Sequence, residues 1–212
     1  SLYAAKRSGR NCVVTERDLL NTTSTASSGG KASERSLDSQ NFEYAVRAVC
    51  KQGAMPLRSH IDLRQFHRFA RYMIIAEPDV EQRKMPMRLV GSGFHDLVGR
   101  DLTGIDYMEF IAPELRDASF DTLMRIIGTP CGLWQKSPIA LPNGRSAIVE
   151  FTTFPMFHER ENRNQLISLA RYQMADSAGS ADGTLSIQRA TSRGWIDLGK
   201  GVPGADRGRS AA

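Results

Sequence analysis

Cysteine is scarce in this 212-residue chain: Cys12, Cys50 and Cys131 are an odd number at unrelated spacings. That spacing excludes a disulfide framework and a cysteine-based metal site, and points to buried thiols in a reducing, cytoplasmic setting. No apolar run approaches the ~20 residues that cross a bilayer. Nor does any segment join a basic start to an apolar centre as a signal peptide would, so membrane insertion is not expected. Charge of one sign is also missing where it would matter. The net charge is +5, yet residues 56–175 carry fifteen basic against fourteen acidic groups, so the excess sits at the ends. A nucleic-acid-binding surface would gather basic side chains on one element and interleave aromatics for stacking; no nucleic-acid partner is expected.

Catalytic patterns are equally absent. No Ser/His/Asp or Cys/His arrangement can be placed, and the serines near Ser24 and Ser27 occupy no nucleophile elbow. His60, His67, His95 and His158 are scattered without Cys, Asp or Glu at metal-ligand spacing. "GSGF" at 91–94 is glycine-rich but does not continue as a dinucleotide or phosphate-binding loop, so a turn or bulge is the expectation.

What the chain does hold is a sequence of short elements. Residues 21–40 are rich in Ser, Thr and Gly with almost no large apolar side chains, and such composition predicts a flexible linker. "NFEYAVRAVCKQG" predicts a helix with Phe42, Val46 and Val49 on one face, ended by Gly53. A helix starting near Ser59 or Asp62 and a strand "RYMIIAE" stopped by Pro78 follow. "MPMRLVGSGF" alternates Met85, Met87 and Leu89 on one side. Gly99 and Gly104 break the next apolar clusters into one-turn helices. The clearest helix is "APELRDASFDTLMRIIGTP", with Pro113 at its start, Leu115, Phe120, Leu123, Ile126 and Ile127 at helical spacing, and Gly128 and Pro130 at its end. Three strand-like runs complete the order: "GLWQKSPIAL", "SAIVEFTTFPMF" and "NQLISLARYQM". "PNG" joins the first pair as a tight turn.

Strands, then a block of helices, then antiparallel strands predict an α+β fold with a single antiparallel sheet. The motifs "RLVGSGFHDLVGRDLTGIDYMEFI" and "LPNGRSAIVEFTTFPM" resemble those of the PAS-like domain family of alphaproteobacteria, with Ser92 and Phe154–Pro155 departing modestly from the family's Thr and Leu-Pro. The resemblance spans residues 56–175 and implies a five-stranded antiparallel sheet with short helices on one face. "RGWIDLGKGVPG" is similar to a short tail that follows such domains. Residues 41–55 are then a connecting helix, and 176–212 a flexible C-terminal tail.

The opening "LYAAKRSGRN" resembles the final helix and turn of a GGDEF domain, the catalytic domain of diguanylate cyclases; Leu2, Tyr3, Ala5, Lys6, Gly9, Arg10 and Asn11 all fit. Residues 1–18 are expected to be the remnant of that domain, with residues 19–40 the linker behind it. The resemblance implies that Lys6 and Arg10 contact the terminal phosphate of GTP in the intact parent domain. The signature loop and the metal-binding Asp of such cyclases are not in this chain, so the chain by itself is not expected to be an enzyme. "RSLD" at 35–38 matches the four-residue product-binding pattern of these cyclases, but it falls after the domain end and is rejected.

The expected role is therefore a sensory or interaction module of a bacterial signalling protein, or the regulatory tail of a cyclase that makes cyclic di-GMP. No cofactor is evident. The PAS resemblance leaves open haem or a small molecule in the core, with His67 and His95 as the histidines to weigh; no flavin-type motif surrounds Cys50 or Cys131. In "SAIVEFTTFPMF", Ile148, Glu150, Thr152 and Phe154 alternate with Val149, Phe151, Thr153 and Pro155, so both faces of that strand carry apolar groups. One face is expected to pack the helix of Leu123 and Ile127. The other, with Trp134 near it, is expected to meet the helix at 42–51, a second copy in a homodimer, or a partner signalling protein.

Overall fold

Ser36 opens the first helix. Its backbone is extended, and its hydroxyl accepts the N–H of Ser39 at 3.2 Å, which satisfies one of the free donors at a helix start. The computed structural model describes residues 35–50, 55–178 and 183–204. The expected remnant at 1–18, most of the expected linker and the expected helix stop at Gly53 lie outside these residues. Helix α1 runs over Leu37–Val49 with Phe42 and Val46 fully buried. It begins inside the segment expected to be linker. Composition hid the start, because the Ser-rich stretch ends in a capping serine.

Short helical turns follow at Arg58–His60, at α2 (Leu63–Phe66, capped by Asp62) and at Ala70–Tyr72. They lead into β1 (Met73–Ala76) and β2 (Met87–Val90). Helix α3 covers Ser92–Val98, and short turns at Tyr107–Phe110 and Pro113–Leu115 precede α4 (Arg116–Gly128). The long strands are β3 (Cys131–Ala140), β4 (Arg145–His158) and β5 (Arg163–Ala178). All pairings among them are antiparallel, and the strand order β2-β1-β5-β4-β3 is the expected five-stranded α+β sheet.

The segment expected to be a flexible tail adds two strands. β6 (Ser186–Ile187) and β7 (Ser192–Asp197) share the free edge of β3, one at each end. Between them Gln188 N–H donates to the Pro138 carbonyl at 2.9 Å. The ring nitrogen of Pro138 therefore faces the gap between β6 and β7, the place in this edge where no donor is required. Trp195, within the segment expected to be tail, sits in β7 opposite Leu133.

Each face of the sheet is covered. On the inner face, α3, α4 and the turns between them pack on Ile74, Leu133, Val149, Phe151 and Leu166. On the outer face, where the expectation had left a choice of covers, α1 and the 58–72 turns pack on Ile75, Trp134, Phe154, Met156 and Ile167. Phe42 is the hub, with ring centroids at 6.0 Å from Phe66, 5.2 Å from Phe69 and 6.0 Å from Phe154. Burying one such ring contributes roughly 1.5–3 kcal/mol, so α1 is held as firmly as any core element.

One strand departs from strict alternation. Ile74 pairs with Val90 and Ile75 with Leu89, but Ala76 pairs with Met87, leaving Arg88 as an extra residue. This bulge reverses parity, so Met87 faces the inner core while Leu89 faces the outer one. The bulged Arg88 donates to Glu77. "GSGF" is a close approach: a Cβ at Gly91 would lie 2.4 Å from the carbonyl oxygens of Ala70 and Arg71.

Candidate ligand cavity

Between the sheet and α4 the inner core is incompletely filled. A cavity of about 150 Å³ is lined by alternate residues of three strands: Leu133, Gln135 and Ser137 of β3, Phe151 and Thr153 of β4, and Leu166 and Ser168 of β5. Its roof is one face of the α4 region, Leu115, Ala118, Ser119, Thr122 and Leu123, at the i, i+3, i+4, i+7, i+8 spacing of a helix face. Three of those five side chains are small, and that is why the space exists: the roof does not reach the floor. Met85, Tyr107 and Ile111 close one end.

The cavity is mostly apolar with polar groups at set places, the composition of a small-molecule site. The hydroxyls of Thr153 and Ser168 lie 2.9 Å apart on its floor. Tyr107 packs edge-on against Phe151 with centroids 6.1 Å apart, and burial pushes its phenol well above the ordinary range, so it stays protonated. An apolar cavity of ~150 Å³ accommodates a molecule of about the size of a benzene ring.

A second site-like arrangement lies on the other face of the same strands. Glu150 of β4 is buried and accepts from the Trp134 indole N–H at 2.6 Å and from the Ser36 backbone N–H at 2.9 Å. Next to it the hydroxyls of Ser39 and Thr152 are 2.6 Å apart. Asp38 pairs with Arg171 of β5 at 2.9 Å, and Arg47 donates to the Asp197 carbonyl at 2.7 Å. Strand β4 thus shows Phe151 and Thr153 to the cavity and Glu150 and Thr152 to α1.

Lys6 and Arg10 lie outside the described residues. His67 is exposed, with Nδ1 2.7 Å from the Arg64 carbonyl oxygen, and His95 Nε2 is 3.3 Å from Asp101 Oδ1; neither lines the cavity. The "RSLD" residues are engaged within the fold, Arg35 with Glu43 at 2.5 Å and Asp38 with Arg171. Burial, with Asp197 adding to it, pushes the Cys131 thiol up to about 11; burial also raises Cys50. Both are protonated at neutral pH and poor nucleophiles. Among the described residues no group of three or more His, Cys, Asp or Glu side chains could hold a metal ion, and no helix is long and apolar enough to cross a membrane. The sequence reading missed the cavity residues Gln135, Ser137, Thr153 and Ser168, whose only signal was a polar side chain at every second position of an apolar strand. It also missed Arg189 and Arg193, placed at the cavity by β6 and β7.

A curled antiparallel sheet in the order β2-β1-β5-β4-β3, closed on one face by a single long helix over a small cavity, defines an α+β domain with room for a small ligand. The family comparison agrees with the geometry. The model of the PAS domain matches residues 36–169, more than half of the chain, and the chain belongs to the PAS domain family, whose domains are sensory rather than catalytic. The match begins at the capping Ser36 and ends within β5, so α1 belongs to the domain while β6 and β7 lie beyond it. No curated protein matches the chain.

Proposed function

We propose that this chain is the sensory module of a bacterial signalling protein: a small molecule in the cavity shifts β4, and β4 shifts α1. The observation that carries this reading is the alternation of β4, in which Phe151 and Thr153 line the cavity while Glu150 and Thr152 hold α1. A packed strand with a ligand on one face and a helix anchored on the other couples the two, because the interior deforms little without repacking. In the parent protein the module sits in the cytoplasm behind a GGDEF domain, the end of which residues 1–14 resemble in sequence. Lys6 and Arg10 belong to the GTP site of that domain, and this chain acts as its regulatory tail. Since α1 covers the outer face of the sheet, self-association uses the solvent side of α1, where Leu37 and Tyr44 are exposed, 57% and 66%, two helical turns apart.

Hydrogen exchange on the whole chain tests the relay. The variant Ala118→Leu extends the roof into the cavity and stands in for a bound ligand. Amides of α1 are expected to change their protection in this variant while those of α3 do not. Unchanged exchange in α1 would leave the cavity and the helix uncoupled and the relay without support.

A further inference from the structure

Charge of one sign marks the mouth of the cavity. Arg189 and Arg193 are the charged side chains among its described lining residues; no Asp, Glu, Lys or His stands with them. Both are exposed, and among the described residues neither guanidinium has a hydrogen-bond or ion-pair partner. Exposed arginines such as Arg100, Arg145 and Arg160 also lack a carboxylate partner among the described residues; what sets Arg189 and Arg193 apart is that both line one cavity. Two like charges at one cavity, with no carboxylate among its described lining residues, favour an anion seated between them.

The rim is held in place. Thr191 donates its backbone N–H to the Lys136 carbonyl at 2.9 Å, Gln188 donates to Pro138 at 2.9 Å, and Arg193 stands opposite Gln135 in the β3–β7 ladder. Both arginines therefore rise from backbone pinned to β3, on a segment that lies past the matched PAS region. Below the rim the cavity is apolar around Leu123, Leu133 and Phe151, carries the Thr153 and Ser168 hydroxyls on its floor, and has room for a body of about one ring.

We infer that the cavity takes a small organic acid. Its apolar body lies between Leu123 and Phe151, and its carboxylate lies at the mouth against Arg189 and Arg193. A guanidinium offers a planar fork of donors that matches a carboxylate, and such charge-assisted bonds are the strong ones. The tail segment is then a specificity element: it turns a generic cavity into one that selects anions. This inference rests on the reading of the cavity as the ligand site.

Calorimetric titration of the whole chain with two matched pairs, benzoate against benzamide and hexanoate against hexanamide, separates the two claims. At least one acid is expected to bind about tenfold or more tightly than its amide, the effect of one charge-assisted contact. The double variant Arg189→Gln/Arg193→Gln, altered only at exposed positions, is expected to erase that preference and leave the amide unchanged. Ala118→Leu is expected to weaken acid and amide alike. Equal affinity for acid and amide, or a preference that survives in the double variant, overturns the assignment of the arginines while the cavity stands. Failure of all four probes to bind, or binding that Ala118→Leu does not weaken, overturns the cavity as the ligand site and this inference with it.

Discussion

The indole of Trp134 donates to Glu150 at 2.6 Å, and the same carboxylate oxygen takes the N–H of Ser36 at 2.9 Å. One buried acid therefore joins β3, β4 and the N-cap residue of α1. Replacing it by Glu150→Ala leaves two donors unpaired in a buried site. The expected cost is about 2–4 kcal/mol in urea denaturation, with Glu150→Gln, which keeps an acceptor, losing about half as much. An alanine variant as stable as the parent chain would show that α1 is held by its apolar face alone.

Glu77 makes a buried, acid-sensitive contribution to the fold. Burial pushes its carboxyl up, but hydrogen bonds from Arg88, Arg163 and Gln165 outweigh that and hold it at about 2. The folded value lies below the unfolded one of ~4.3, so the stabilisation is complete above that pH and is lost as pH falls from about 4 toward 2. Glu77→Gln is expected to cost on the order of 2 kcal/mol at pH 7, discounted for the two partly exposed arginines, and almost nothing near pH 2. Denaturation across that range, parent against variant, reads the convergence directly.

Two glycines of different setting give opposite results. Gly91→Ala forces a Cβ within 2.4 Å of two backbone oxygens and is expected to destabilise by several kcal/mol or prevent folding. At Gly128, the last residue of α4, nothing lies within 4 Å of the added carbon. Gly128→Ala is expected to be neutral or to stabilise by up to about 1 kcal/mol. Melting temperatures of the pair check both signs.

The chain is expected to make no cyclic di-GMP. Phosphoryl transfer rests on metal ions and positioned phosphates, and the signature loop and metal-binding Asp of cyclases are not in this sequence. Incubation with GTP and Mg²⁺, followed by nucleotide chromatography, settles it: product above the blank contradicts the reading.

Self-association through α1 predicts a concentration-dependent sedimentation coefficient for the whole chain. The variant Leu37→Glu/Tyr44→Glu, changed only at exposed positions, is expected to sediment as a monomer at every concentration. Identical profiles for the two would place any association elsewhere.

Legibility in the sequence followed locality. Helix α4 was readable because Pro113 and Gly128 bracket an apolar stripe, and β4 and β5 were readable as long runs around short polar turns. The start of α1 was not, since a capping serine looks like one more residue of a Ser-rich linker. β7 was hidden for a different reason. "SRGWID" has little strand character alone and acquires its structure from the β3 edge, 56 to 66 residues earlier in the chain. The bulge at Arg88 likewise depends on what lies across the ladder, and it moved Leu89 to the face opposite the one alternation assigns. The cavity was out of reach of pattern reading, because it is a shortfall of volume between elements rather than a property of any one of them.

The edge pairing of β7 on β3 also sets an order of events at the ribosome. Helix α1 emerges before the strands it packs on, and it finds its polar anchor on β4 at a separation of 114 residues and a contact from Arg47 to Asp197 at 150. Until the residues after 190 have been made, the Cys131–Lys136 stretch of β3 is an open edge and Trp134 lacks Ile196 beside it. Long-range pairing of this kind is slow, and an unpaired edge invites other chains. Synthesis that stops within the matched family region, before β7, leaves a nascent domain that is complete by its motifs and unfinished at its edge.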